Sequence, residues 1–130
     1  MSQTKEMFRV ERKGSNAARM RGQSVTSVTV TVGRKYYSLS NGRNIYRFQI
    51  QPETDFNGNP YYPEVSEYSS DFLLYETYEA ARDYLRRDAL LFEVNQCNFM
   101  CLDVDALANI VSAINDFRER KREIRRKNYE

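Results

Sequence analysis

The segment 24–50, SVTSVTVTVGRKYYSLSNGRNIYRFQI, constrains the fold more than any other part of the chain. Val28, Val30 and Val32 alternate with Thr29 and Thr31, the two-residue period of a strand with one face buried. Gly33 permits a turn, KYYSLS reads as a second strand, and Asn41-Gly42 is a strong hairpin signal before a third strand, RNIYRFQI. With Asn41-Gly42 as the two turn residues, Ser40 faces Arg43, Leu39 faces Asn44, Tyr37 faces Tyr46 and Tyr36 faces Arg47. Cross-strand partners share a face. The pairing therefore directs Tyr37, Leu39, Tyr46 and Phe48 inward, and Arg34, Tyr36, Arg43, Ile45 and Arg47 outward.

Around this hairpin the sequence supplies further short strands and then helices. EMFRVER at 6–12 and DFLLYE at 71–76 read as strands, and 51–70, with all three prolines and a second Asn-Gly, reads as a loop or broken hairpin. Thr77 caps a helix over EAARDYLRRDALLFEV, with Ala81, Leu85, Ala89 and Phe92 near one face. Asp103 caps another, in which Leu107, Ile110, Val111, Ile114 and Phe117 form an apolar stripe and residues 118–130 continue as a basic extension. The expectation is an α+β chain: a small SH3-like antiparallel β-barrel followed by two C-terminal α-helices. It forms a single domain over 1–130, mostly β to residue 76 and helical from 77. At this length a core forms without metals or disulfides.

Composition narrows the chemistry. Histidine is absent, which removes the commonest general base and the middle member of Ser-His-Asp or Cys-His arrangements. No phosphate-cradling glycine motif is present. A zinc ion at Cys97 and Cys101 would need carboxylates or a partner's ligands; two reduced, half-buried thiols are the ordinary reading. The residue set argues against an enzyme and calls for no cofactor and no metal. No apolar run reaches the ~20 residues of a bilayer span. The start, MSQTKEMFRV, lacks a signal-peptide core, so a cytoplasmic location is expected.

Charge is segregated along the chain. Residues 1–47 carry about +8, residues 48–116 about −10 and residues 117–130 about +4, within a net +2. Such blocks steer charged partners or neutralise one another in the fold. On the basic side, Lys13, Arg19 and Arg21 lie in a Gly-rich loop. Arg34, Arg43 and Arg47 flank Tyr36 on the outward hairpin face, and Arg118, Arg122 and Arg125 recur at helical spacing. Arginines suit phosphates and a tyrosine can stack on a base, so these residues are the candidate nucleic-acid surface. The plain alternative is a solvated strand face and a solvated helix end. On the acidic side, Tyr61, Tyr62, Glu64, Glu67 and Asp71 are the candidate protein-binding surface of a rival reading, in which the chain occupies a nucleic-acid groove on a host protein. The same tyrosines can equally close a barrel.

SNAARMRG before a valine-rich strand, then VGRKYYSLS, RFQI, EYSSDFLLYET and LDVDALANIVSAI, resembles a family of small β-barrel domain proteins encoded by bacteriophages and other mobile elements of bacteria. Its most specific piece is VGRKYY at 32–37. The loop at 51–65 is longer than that pattern, and the basic tail after Phe117 is an addition. The resemblance implies a barrel fold and a mobile-element protein of the bacterial cytoplasm. It brings no activity with it. The resulting expectation is a non-catalytic binding protein that contacts nucleic acid, with the anti-defence inhibitor of a host protein as the alternative.

Overall fold

A computed structural model describes residues 3–12, 24–66 and 71–129. Among these residues, seven strands form one antiparallel sheet: β1 (Gln3–Glu11), β2 (Thr26–Val32), β3 (Tyr36–Asn41), β4 (Asn44–Gln49), β5 (Glu53–Thr54), β6 (Pro60–Pro63) and β7 (Phe72–Tyr75). Their order across the sheet is β4-β3-β2-β1-β7-β6-β5. Helix α1 (Tyr78–Gln96), a 3-10 turn at Phe99–Cys101 and helix α2 (Val104–Tyr129) follow. The chain divides into two compact units, Met1–Phe92 and Glu93–Glu130.

The sheet curls until its first and sixth strands meet. Phe48 in β4 bridges Glu64 beyond β6, and the Val65 N–H donates to the Arg47 carbonyl at 2.7 Å. This makes the sheet a half-barrel with an enclosed face. Met7, Val30, Tyr37, Leu39, Phe48, Tyr62, Phe72 and Leu74 fill that face, with Val28, Val32 and Tyr46 packed against them. The valine alternation of β2 thus does what its spacing requires. Aromatic rings meet edge to face inside, Tyr37 with Tyr62 at 5.2 Å and Tyr46 with Phe72 at 5.3 Å between centroids, a geometry that suits the ring quadrupoles.

The opposite face is covered where α1 lies. Val10, Leu73, Tyr75 and Ala81 are buried there, with Phe8, Tyr61, Tyr84 and Leu85 packed around them. Strand β7 is therefore buried on both sides, which is why FLLY reads as a continuous apolar run rather than an alternation. Helix α1 starts where expected, the Thr77 hydroxyl accepting from the Ala80 N–H at 3.2 Å. Its covered face differs from the expected one. Ala81, Tyr84, Leu85 and Asp88 turn inward, whereas Ala89 and Phe92 are exposed. The short β7 sets this limit, because a four-residue strand covers only the first turns of a longer helix.

The hairpin turn also differs by one residue from the expected one. Asn41 pairs with Asn44, so Gly42 and Arg43 are the turn residues. Gly42 has φ +63°, and no described non-glycine residue has positive φ. A turn of that kind needs one left-handed residue, at its first central position, where the Asn-Gly alternative needs two. Packing favours the observed register as well. It sets Tyr37 opposite Phe48 and Leu39 opposite Tyr46, where the expected one set Leu39 against Asn44. Moving the turn by one residue shifts the pairing by two, so every side chain keeps its face. At the other end of β3, Gly33 donates to the Tyr36 carbonyl at 2.9 Å, and a Cβ on Gly33 would meet that oxygen at 2.9 Å.

Leu74→Ala should lower the unfolding free energy by about 2–5 kcal/mol, because the residue has no exposure and contacts fixed neighbours. Gly42→Val should cost about 1–2 kcal/mol through its left-handed backbone alone. Ile45→Ala, at an exposed site, should stay within ~0.5 kcal/mol. Urea denaturation of the three variants checks the ranking.

Candidate nucleic-acid interface

The outward face of the β3–β4 hairpin is built by strand alternation. Three cross-strand pairs line it: Tyr36 with Gln49, Ser38 with Arg47, and Ser40 with Ile45. Tyr36 and Arg47 share this face, diagonal to one another, and Arg47, Ser40, Ile45 and Gln49 are exposed. Tyr36 is half-buried. Arg34 lies in the β2–β3 turn and Arg43 in the β3–β4 turn, both exposed. These turns cap opposite ends of a six-residue strand, a span of ~20 Å at about 3.3 Å per residue. The hairpin cations form a spaced row with Arg47 in the middle, and the serines beside Arg47 leave its approach open.

The second basic surface lies on α2. Asp103 begins the helix, its carboxylate accepting from the Ala106 N–H at 2.9 Å. The helix runs unbroken through the basic extension to Tyr129. Spacings of three and four residues bring Arg118, Lys121, Arg122 and Arg125 to one face, where with Phe117 they line a groove of about 300 Å³. The Lys121 ammonium sits 5.6 Å from the Phe117 ring centroid. Glu119 draws Arg122 to 3.4 Å, with both side chains largely in water. An ion pair so exposed holds its partner weakly. Arg118, Lys121 and Arg125 are left facing solvent along the helix.

The acidic middle of the chain is differently disposed. Tyr62 is a core residue whose hydroxyl donates to Glu76 at 2.7 Å. Tyr61 is half-buried and donates to Glu53 at 2.8 Å. Tyr75, in the core, donates to Asp55 at 2.7 Å. Glu64 accepts from the backbone N–H groups of Asp71 and Phe72 at 2.8 and 3.2 Å, which satisfies donors at the start of β7. Asp71 is half-buried beside it. Burial pushes the Glu64 carboxyl above its ordinary range, against the pull of those two N–H groups. Burial likewise raises the Tyr62 and Tyr75 hydroxyls, reinforced by their carboxylate acceptors. These acids and phenols serve the sheet.

Lys13, Arg19, Arg21 and Glu67 lie outside the described residues. Cys97 and Cys101 are free and exposed rather than half-buried, because α1 ends at Gln96 and both fall in the link between helices. One structural role escaped sequence reasoning altogether. Lys5 pairs with Glu76 at 2.9 Å and lies over the Tyr37 ring at 5.8 Å, joining β1 to the end of β7. A period-two reading of β1 puts Lys5 on the same face as Met7, which was the available signal. Beside Asp55, Arg12, Tyr61, Tyr75 and Tyr84 line an open pocket of about 390 Å³, as does the exposed Phe56, whose ring carries the Arg87 guanidinium at 4.4 Å.

The Lys5 and Tyr62 hydrogen bonds hold Glu76 below its ordinary value of 4.5. A carboxylate depressed in this way adds stability above pH 4.5, and the contribution disappears as pH falls through the lower folded value. Glu76→Gln should therefore be less stable than the parent at neutral pH and converge on it in acid. Thermal melts from pH 7 down to about 3 check this, and parallel curves would remove the ionic role of Glu76. No family model, no curated protein and no solved structure matches the chain.

Proposed function

We propose that this chain is a non-catalytic binding protein whose basic surfaces hold the phosphate backbone of a nucleic acid. The exposed row Arg118, Lys121, Arg122 and Arg125 on one face of α2 carries the reading. Guanidinium groups match phosphate oxygens with paired, charge-assisted hydrogen bonds. An unbroken helix spreads these four cations over about 10 Å of its axis, long enough to meet more than one phosphate. The β3–β4 face adds a second contact, with Arg47 on the backbone and Tyr36 against a base. As parts of the same proposal, the curled sheet is a small barrel of the SH3-like kind. The VGRKYY motif points to an origin in a bacteriophage or other mobile element, with action in the bacterial cytoplasm. No described helix is long and apolar enough to cross a membrane.

The rival reading, an anti-defence inhibitor presenting the acidic, tyrosine-rich middle segment to a host protein, has less behind it. Glu53, Asp55, Glu64 and Glu76 already accept hydrogen bonds from this chain's own groups, and Tyr62 offers no ring to a partner.

Titration against single- and double-stranded oligonucleotides tests the proposal. With four phosphate contacts, affinity should fall ~100-fold between about 50 and 200 mM salt. Replacing Arg118, Arg122 and Arg125 together by Gln should weaken binding and lower the slope by about three contacts. Absence of binding at the lower salt concentration sinks the reading.

A further inference from the structure

We propose that α2 is the interface for a second copy of this chain, packed antiparallel. Leu107, Ile110, Ile114 and Phe117 recur at intervals of three, four and three residues, followed by Lys121 and Ile124 at the next two places. That is the seam of a coiled coil. Leu107, Ile114, Phe117 and Ile124 are exposed, as is Val111 on the flank, whereas Met7, Val10 and Leu74 in the sheet have no exposure. A helix with such a stripe gains most of its stability by covering it.

Charge selects both occupant and direction. In a parallel pair Lys121 meets the partner's Lys121, and Arg120 meets the partner's Arg125. Both contacts are repulsive. An antiparallel pair centred near residue 112 stacks Leu107 on the partner's Phe117, and Ile110 on the partner's Ile114. Val111 and Ala113 then meet their own copies beside the two-fold axis, where no charge intrudes. The next layer out places Lys121 opposite the partner's Asp103. That residue is held at the start of the helix, its carbonyl accepting from the Leu107 N–H at 3.1 Å. The one cation on the seam thereby finds an acid, twice per dimer. Every basic residue from Arg122 onward overhangs the partner's helix start, so two cationic arms point away from each other.

Light scattering and sedimentation of the full chain test this. A concentration-dependent monomer–dimer equilibrium is expected, lost in Ile110→Glu/Ile114→Glu. Lys121→Glu, at a site exposed in the monomer, should weaken the dimer roughly tenfold by placing two like-charged pairs across the seam. Direction is read by oxidising a mixture of Leu107→Cys and Phe117→Cys chains, both in a Cys97→Ser/Cys101→Ser background. Disulfides joining 107 to 117 support the antiparallel seam. Disulfides joining 107 to 107, an unaltered dimer in either charged variant, or a monomer at all concentrations overturns it.

Discussion

Strand β7 is the element on which the described sheet depends. Its four residues, Phe72 to Tyr75, are all buried, with Phe72 and Leu74 in the curled interior and Leu73 and Tyr75 under α1. It pairs with β1 on one side and β6 on the other, so it joins the long strands of the N-terminal half to the β5–β6 hairpin. At about 25 cal/mol per Å² of apolar surface, such two-sided burial outweighs what an exposed hairpin contributes. Glu64 protects the start of the strand by accepting from its first N–H groups, and Tyr75 is tied to the β5–β6 turn through Asp55. Curling the sheet and seating the helix both follow from covering this one strand.

The polar groups of the middle segment serve the same end. A phenol buried without an acceptor is costly, and a buried carboxylate without donors more so. Here phenols and carboxylates satisfy one another: Tyr61 with Glu53, Tyr62 with Glu76, Tyr75 with Asp55. Three acids of the negative block, Glu53, Asp55 and Glu76, are thus acceptors for tyrosines of the sheet. In the positive blocks, Arg34, Arg43, Arg47, Arg118 and Arg125 are exposed, and along α2 Arg122 makes only a solvent-exposed pair with Glu119. That asymmetry, more than the net charge, separates the two functional readings.

Antiparallel self-association of α2 would draw Phe117 and Lys121 into the joint and leave Arg122 and Arg125 on the overhanging arms. The apolar first half of the helix would form the joint and the basic second half would remain available at each end. A dimer holding two cationic arms can engage two phosphate segments at once, which raises the effective affinity of each modest arm.

By itself the sequence determined which residues face inward in β2, β3 and β4, where α1 and α2 begin, and that the basic tail continues as helix. Each of these rests on local physics: alternation on a pleated strand, a side-chain oxygen capping free N–H groups, and the helical recurrence of apolar residues. The turn lies one residue from its expected place and the pairing is shifted by two, an even shift that leaves every side chain on its expected face. Tertiary structure alone decided that β4 returns to the end of β6, that Tyr62 and Tyr75 are core rather than surface, and that Ala89 and Phe92 of α1 stay uncovered. Those outcomes depend on contacts between residues distant in the chain, such as Phe48 with Glu64 and Tyr75 with Asp55. No local pattern encodes which distant acceptor a buried hydroxyl will find.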